Sequence, residues 1–173
     1  MTPTHTPDPR IRTVGASDVD DLAEIARLFT QYAEWLAAFV THSTLAEELA
    51  SLPKPFAAPS GVLLGASREP VGPLCGCVGV KRHSDSACEI KRLFVREACR
   101  GARLGEALFS AALDEACDMG YAEALVSTIP SHMPAANAMY ERFGFVPTHR
   151  FEDHTHAEVE IRYLRLDLGD WCA

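Results

Sequence analysis

The residues whose types and order most directly imply chemistry lie in Cys88–Gly105, CEIKRLFVREACRGARLG. Ile90, Leu93, Phe94 and Val95 read as an apolar strand, two glycines mark the turn after it, and a helix starts near Leu104. A strand feeding a glycine-containing turn at a helix start leaves several backbone N–H groups without intrahelical partners, gathered at the positive end of the helix dipole. Such a concavity takes an anion, typically phosphate. Arg100 and Arg103 stand in the same turn and can add charge to it.

Two other groups of reactive side chains need weighing. His149, His154 and His156 share one segment with Asp153, Glu158 and Glu160, and strand alternation puts His154, His156, Glu158 and Glu160 on one face. Imidazole and carboxylate suit zinc, but the spacing meets no fixed ligand pattern, so a polar turn and a solvated strand are expected and no metal. The six cysteines (Cys75, Cys77, Cys88, Cys99, Cys117, Cys172) read as free thiols of a reducing cytoplasm, with Cys75 and Cys77 on one face of a strand as small core residues. Cys88 and Cys99 flank the turn in sequence without a visible histidine partner, so no covalent carrier is expected.

The elements that must position these residues follow from apolar periodicity and its breakers. Residues 1–10 read as a flexible lead-in, and residues 11–173 as one domain. Ile11–Val14 is a first strand. Ser17 or Asp18 caps a helix with Leu22, Ile25, Ala26 and Phe29 in one stripe, and a second helical region runs from about Tyr32 to Leu52 and ends at Pro53. Trp35 and Phe39, on that second helix, are expected in the core or lining a pocket.

Gly61–Ala66, Gly72–Arg82 and Cys88–Val95 are the next strands, the last two joined by a tight turn at His83–Ser86. A helix from Leu104 to Met119 stops at Gly120, and Tyr121–Thr128 is a fifth strand. Strand, helix, strand implies a right-handed crossover, so strands four and five are expected to be parallel neighbours. Ala135–Phe143 is a short helix closed by Gly144, and Phe145–Phe151 with Ala157–Leu168 completes the sheet as an antiparallel pair. The fold class is mixed α/β with about four helices around one sheet.

At 173 residues the chain is long enough for one well-buried core. A net charge of -8 argues against a general affinity for nucleic acid or anionic membrane. The N-terminal residues show no basic-then-apolar order of a signal peptide, and no run reaches the roughly 18 apolar residues of a spanning helix.

Arg100-Gly101-Ala102-Arg103-Leu104-Gly105 resembles the pyrophosphate-binding motif R/Q-x-x-G-x-G/A of the GCN5-related N-acetyltransferases (GNAT), with Arg103 where that family most often has glycine. Ala136–Phe145 resembles the family's A-x-x-x-Y-E-x-x-GF element. Together with Glu89–Val95 ahead of the turn, the resemblance covers Ile11 to Leu168 and is strongest from Glu89 to Phe145.

The resemblance implies an acetyl-CoA site where strands four and five splay apart. By position, the N–H of Leu93 would polarise the acetyl carbonyl, worth about 3 kcal/mol in comparable oxyanion sites. Val95 would pair with the pantetheine amide, and the N–H groups of Gly101, Ala102, Arg103, Leu104 and Gly105 would hold the pyrophosphate, with Arg100 and Arg103 adding charge. Phe94 and Asn137 complete the implied cofactor-binding set.

Tyr140 is the implied general acid as well as a cofactor contact, since a phenol near pKa 10 can protonate a thiolate leaving group near 8.5. Its competing reading is a core tyrosine. Glu89 is the candidate general base, expected on one strand face with Lys91, Leu93 and Val95 if no bulge intervenes. Its competing reading is a strand carboxylate paired with Lys91 or Arg82.

The implied function is a cytoplasmic, dimeric acetyltransferase. It would move the acetyl group from acetyl-CoA to an amine of a small molecule or amino compound, by direct attack in a ternary complex. A peptide or protein N-acetyltransferase and a non-catalytic CoA-binding module are the alternatives.

Overall fold

The computed structural model describes residues 6–40, 45–152, 159–169 and 171–172. Eleven elements follow one another among them: β1 (Ile11–Thr13), α1 (Val19–Leu36), α2 (Leu45–Ser51), β2 (Val62–Ser67), β3 (Leu74–Arg82), β4 (Ala87–Val95), α3 (Leu104–Asp118), β5 (Glu123–Thr128), α4 (Pro134–Arg142), β6 (Val146–Pro147) and β7 (Arg162–Asp167). The strands form one sheet in the order β1-β2-β3-β4-β5-β7-β6. Every neighbouring pair is antiparallel except β4 and β5, which are parallel as the crossover through α3 requires. None of the described helices is long and apolar enough to cross a membrane.

Each face of the sheet has its own core. On one, Val78, Val80, Cys88 and Ile90 pack with Leu104, Leu108, Phe109, Ala112 and Leu113 of α3. On the other, Leu63, Leu74 and Cys77 pack with Ile25, Leu28 and Phe29 of α1 and with Phe56. Phe56 approaches so closely that a Cβ on Gly79 would lie 2.5 Å from its ring, so the glycine in β3 is what admits it.

The N-terminal half departs from the sequence reading. One helix, α1, continues without a break through Leu36, because nothing between Thr30 and Ala33 is a glycine or proline. Tyr32 and Trp35 therefore belong to α1, and α2 is a separate short helix. Asp18 stands at the N-terminus of α1, but its carboxylate accepts the N–H of Gly15 at 2.8 Å instead of capping the helix.

The cysteines also differ from expectation. The pairing of β2 with β3 passes from Ala66–Gly76 to Ser67–Leu74, which makes Cys75 an extra, bulged residue. Cys75 then joins the α3-side core and Cys77 the α1-side core, on opposite faces. Cys117 and Cys172 form a disulfide across 55 residues, leaving Cys75, Cys77, Cys88 and Cys99 free. The chain end is brought back to α3 by a turn in which the Trp171 indole donates to Asp114 at 3.0 Å and stacks on Phe143.

The final hairpin is shorter than expected. β6 spans two residues, and Pro147 removes a donor from its ladder. Asp153, His154, His156 and Glu158 of the acidic and histidine-rich segment lie outside the described residues. Among the described residues no group of three potential metal ligands comes together.

Candidate active site

β4 and β5 pair only through Ala87–Glu89 and Glu123–Leu125, at their N-terminal ends. Beyond Glu89 they part, β5 continuing beside β7 and β4 beside β3. The wedge between them opens into a cavity of about 480 Å³ lined by the second half of β4, by Leu125–Thr128, by the start of α4 and by Tyr32, Trp35 and Leu36 of α1.

The geometry of β4 in this wedge is set by a bulge. Its pairing with β3 passes from Gly79–Lys91 to Cys77–Phe94, so Arg92 and Leu93 together face Val78. Arg92 takes a left-handed conformation, φ 60°, which a non-glycine residue adopts only at a cost of roughly 1–3 kcal/mol. The bulge reverses the alternation: Lys91 pairs opposite Gly79 toward the α1 side, whereas Leu93 and Val95 pack on the α3-side core. Glu89, Lys91, Leu93 and Val95 thus do not share the single face expected of a regular strand.

The Arg92 guanidinium reaches α2, where its Nε donates to Glu48 at 2.9 Å and its Nη2 lies 2.8 Å from the same oxygen. Both residues are buried. Such a pair is costly to desolvate, and removing either partner strands the other.

At the far end of β4 the chain turns into α3. Gly101 (φ 86°) and Arg103 (φ 56°) both take the left-handed conformation, so Arg103 adopts the backbone that glycine adopts more readily. Its guanidinium points back to Glu106 of the first turn of α3, donating at 2.7 Å, and that hydrogen bond first of all holds the Glu106 carboxyl below its ordinary pKa. Arg100 donates to the carbonyl of Val95 at 3.1 Å, and Arg10 to that of Ala102 at 3.1 Å, which fixes the loop from both sides.

A charged cluster stands at the mouth of the β4–β5 divergence. Glu89 is buried, and its Oε1 lies 2.7 Å from Nδ1 of His83, which donates because a carboxylate oxygen can only accept. Lys91 Nζ lies 3.3 Å from Glu89 Oε2 and is also ion-paired with Glu152, to whose other oxygen Ser127 donates at 3.0 Å. Burial pushes the Glu152 carboxyl up, but the Lys91 charge and the hydrogen bonds from its neighbours outweigh it and bring it down to about 2. Glu89 Oε2 is buried with no hydrogen-bond partner among the described residues.

Residues 59–147 match the family model described as an acetyltransferase (GNAT) domain. An uncharacterized N-acetyltransferase of Schizosaccharomyces pombe is 30% identical over 151 residues, 86% of this chain and 90% of its own. The chain belongs to the GNAT acetyltransferase family. Solved structures share the fold at lower identity. An acetyltransferase of Streptococcus agalactiae superposes with a TM-score of 0.72 at 18% identity, covering 91% of this chain and 96% of that one. A Salmonella typhimurium protein solved with its cofactor acetyl-CoA gives 0.68 at 20%, covering 91% and 92%.

For this GNAT chain the expected site residues fall into three groups. Leu93, Phe94, Val95, Arg100, Tyr140 and Glu89 line the cavity. Gly101, Ala102, Arg103, Leu104 and Gly105 form the loop at the end of β4 and the first turn of α3, beside the cavity and not in its wall. Asn137 is not brought into the wall: its amide donates to Glu141 at 3.1 Å and accepts from Arg162 at 3.2 Å.

Tyr140 is packed against Phe109 and Phe145, and burial, reinforced by Tyr32, raises its pKa so that the phenol stays protonated through neutral pH. Burial likewise pushes the Tyr32 hydroxyl and the Cys88 thiol up to about 12, so Cys88 offers no thiolate to carry an acyl group. Trp35 is 42% exposed and lines the cavity instead of filling the core.

The sequence reading missed His83, Glu48, Glu152 and Tyr32 as parts of the site. The tight turn after β3 was the available signal for His83, since it folds that residue back toward the start of β4. Glu48 and Glu152 reach β4 from residues 44 and 61 positions away, with no local pattern to announce them.

Proposed function

We propose that this chain transfers the acetyl group of acetyl-CoA to the amine of a small molecule, by direct attack within the β4–β5 wedge. The observation that carries the reading is the meeting, in one cavity, of the buried Glu89 carboxyl and the protonated Tyr140 on either side of the bulged strand. The loop after β4 suits a pyrophosphate, since Gly101 and Arg103 already hold the left-handed conformations that turn successive N–H groups to one side at the start of α3.

Acetyl-CoA supplies an acyl group activated as a thioester. The residues of this chain position it and manage the protons. The backbone of Val95 lies at the open edge of β4, and the N–H of Leu93 belongs to the bulge, where a fixed donor can hold charge developing on a carbonyl oxygen. Glu89 takes a proton from the incoming ammonium, since only a neutral amine attacks, and His83 on its other oxygen gives the proton a way to solvent. As the new N–C bond forms and the C–S bond breaks, the Tyr140 hydroxyl protonates the departing sulfur, and the second proton lost from nitrogen restores the phenol.

Thiol release from acetyl-CoA in the presence of mixed primary amines tests this reading, run beside the melting temperature with acetyl-CoA alone. Amine-dependent release together with a rise in Tm is expected. Binding without release from any amine would reduce the site to a CoA-binding module.

A further inference from the structure

The cavity carries two hydrogen-bond donors that the described residues leave without acceptors. Arg92, in the bulge of β4, is buried and lines the cavity. Its Nε donates to Glu48 Oε2 at 2.9 Å, and its Nη2, though 2.8 Å from that same oxygen, is buried and makes no hydrogen bond. A guanidinium offers more than one edge to a carboxylate, and Glu48 takes the edge at Nε. The end bearing Nη1 and Nη2 meets no acceptor among the described residues. Holding such donors out of water and unpaired is costly, and an acceptor oxygen brought by a ligand would remove that cost.

Tyr32 of α1 is the second donor. It lines the same cavity, and its hydroxyl forms no hydrogen bond with a described residue. Burial keeps that hydroxyl protonated while the Arg92 charge acts on it in the opposite sense, so the two groups stand within electrostatic reach of each other. The other basic groups of the cavity are differently engaged. Lys91 is ion-paired with both Glu89 and Glu152. Arg100 is tied by its Nε to the Val95 carbonyl, beside the loop that suits a pyrophosphate, and His132 has its Nδ1 2.8 Å from the Ser131 hydroxyl.

Along β4 the cavity therefore presents a carboxylate at Glu89 and, three residues on and across the bulge, a guanidinium with an open edge. We infer that the acceptor is an amino acid, whose amine is taken at Glu89 and whose carboxylate is held by Nη1 and Nη2 of Arg92 and the Tyr32 hydroxyl. A zwitterion is met by opposite charges in this arrangement, which fixes the direction in which it lies. The inference rests on the reading of the cavity as an amine acetylation site and names the class of its acceptor. A simple amine, or the amide of an amino acid, brings no charge to the open edge of Arg92.

The test measures thiol release from acetyl-CoA with each common amino acid beside its own amide and its decarboxylated amine, in the wild type, Arg92→Lys and Tyr32→Phe. The amine of an amino acid is more basic than that of its amide and less basic than the decarboxylated one, so a preference over both reads the carboxylate and not basicity. The expected result is at least one amino acid with a kcat/KM about tenfold or more above both of its analogues. Arg92→Lys keeps the charge but loses the planar fork, and should bring that ratio down several-fold with the KM for acetyl-CoA unchanged. Tyr32→Phe should lower the ratio less, and it carries the same readout if Arg92→Lys does not fold. Analogues turned over as fast as every amino acid would overturn the inference while acetyl transfer stands, as would a ratio that the variants leave at the wild-type value. No release from any of these compounds, with acetyl-CoA still raising the Tm, would overturn it and leave the cofactor site. Neither release nor a shift in Tm would remove the acetyltransferase reading as well.

Discussion

The two faces of β4 obey different physics. Toward α3, Cys88, Ile90, Leu93 and Val95 join a continuous apolar core and stabilise the fold by burial. Toward α1, the same strand carries Glu89, Lys91 and Arg92, all largely removed from water: Lys91 is ion-paired with Glu89 and Glu152, Arg92 with Glu48, and Glu89 also meets the His83 imidazole. Buried ion pairs are seldom more stable than apolar residues of the same size. The contrast therefore teaches that the charged face is kept for something other than stability, and the bulge at Arg92 is what lets one strand serve both.

The largest effect is expected across the wedge from that charged face. Tyr140→Phe removes one hydroxyl from a well-packed site and should lower kcat by 10²-fold or more, in the range of a general acid, with the Tm hardly changed. Steady-state kinetics beside thermal denaturation checks it. Unaltered kcat would assign Tyr140 to the apolar side as a packing residue.

Glu48→Ala attacks the charged face as structure. It leaves the Arg92 guanidinium buried without a partner and should cost about 3–5 kcal/mol of stability, read from urea denaturation. A cost under about 1 kcal/mol would show that water reaches Arg92 and that the pair does not hold the bulge.

Glu152 gives the pH dependence. Its carboxyl is held at about 2, below the ordinary 4.5, so its ion pair contributes stability that is fully present above about pH 5 and is lost as pH falls toward 2. The stability gap between wild type and Glu152→Gln, of order a few kcal/mol at pH 7, should shrink steadily below pH 5 and be nearly closed at pH 2 in denaturant titrations. A gap that persisted at pH 2 would mean that packing and not charge holds this residue.

The smallest effect is expected in the loop Arg100–Gly105. Arg103→Gly relieves a left-handed conformation but frees the unfolded chain and loses an exposed ion pair with Glu106, so stability should change by less than about 1 kcal/mol. Acetyl-CoA affinity, read by calorimetric titration, should stay within about threefold, because the loop already has the glycine-like shape.

What the sequence made legible was local. The loop Arg100–Gly105, the start of α3 at Leu104 and Tyr140 on its short helix are each specified by a run of ten residues or fewer, where turn chemistry and helix period decide the outcome. The parallel pairing of β4 and β5 followed from chain order. The bulges did not: one extra residue at Cys75 and one at Arg92 each invert the alternation, and no apolar pattern marks them in advance. Nor did the pairs of Glu48 with Arg92, Lys91 with Glu152 and Cys117 with Cys172, which join segments that only the closed sheet brings together.

The claim that the charged face of β4 performs the chemistry is tested most directly by the pH dependence of turnover in Glu89→Gln beside the wild type. The account predicts a fall in kcat of about 10²-fold at neutral pH, with the KM for acetyl-CoA unchanged. That loss should narrow as pH rises toward the pKa of the amine, near 10 for an alkylamine, where the acceptor arrives already neutral. A variant as active as the wild type, or one whose loss is the same at every pH, would contradict it and leave Glu89 as the structural partner of His83.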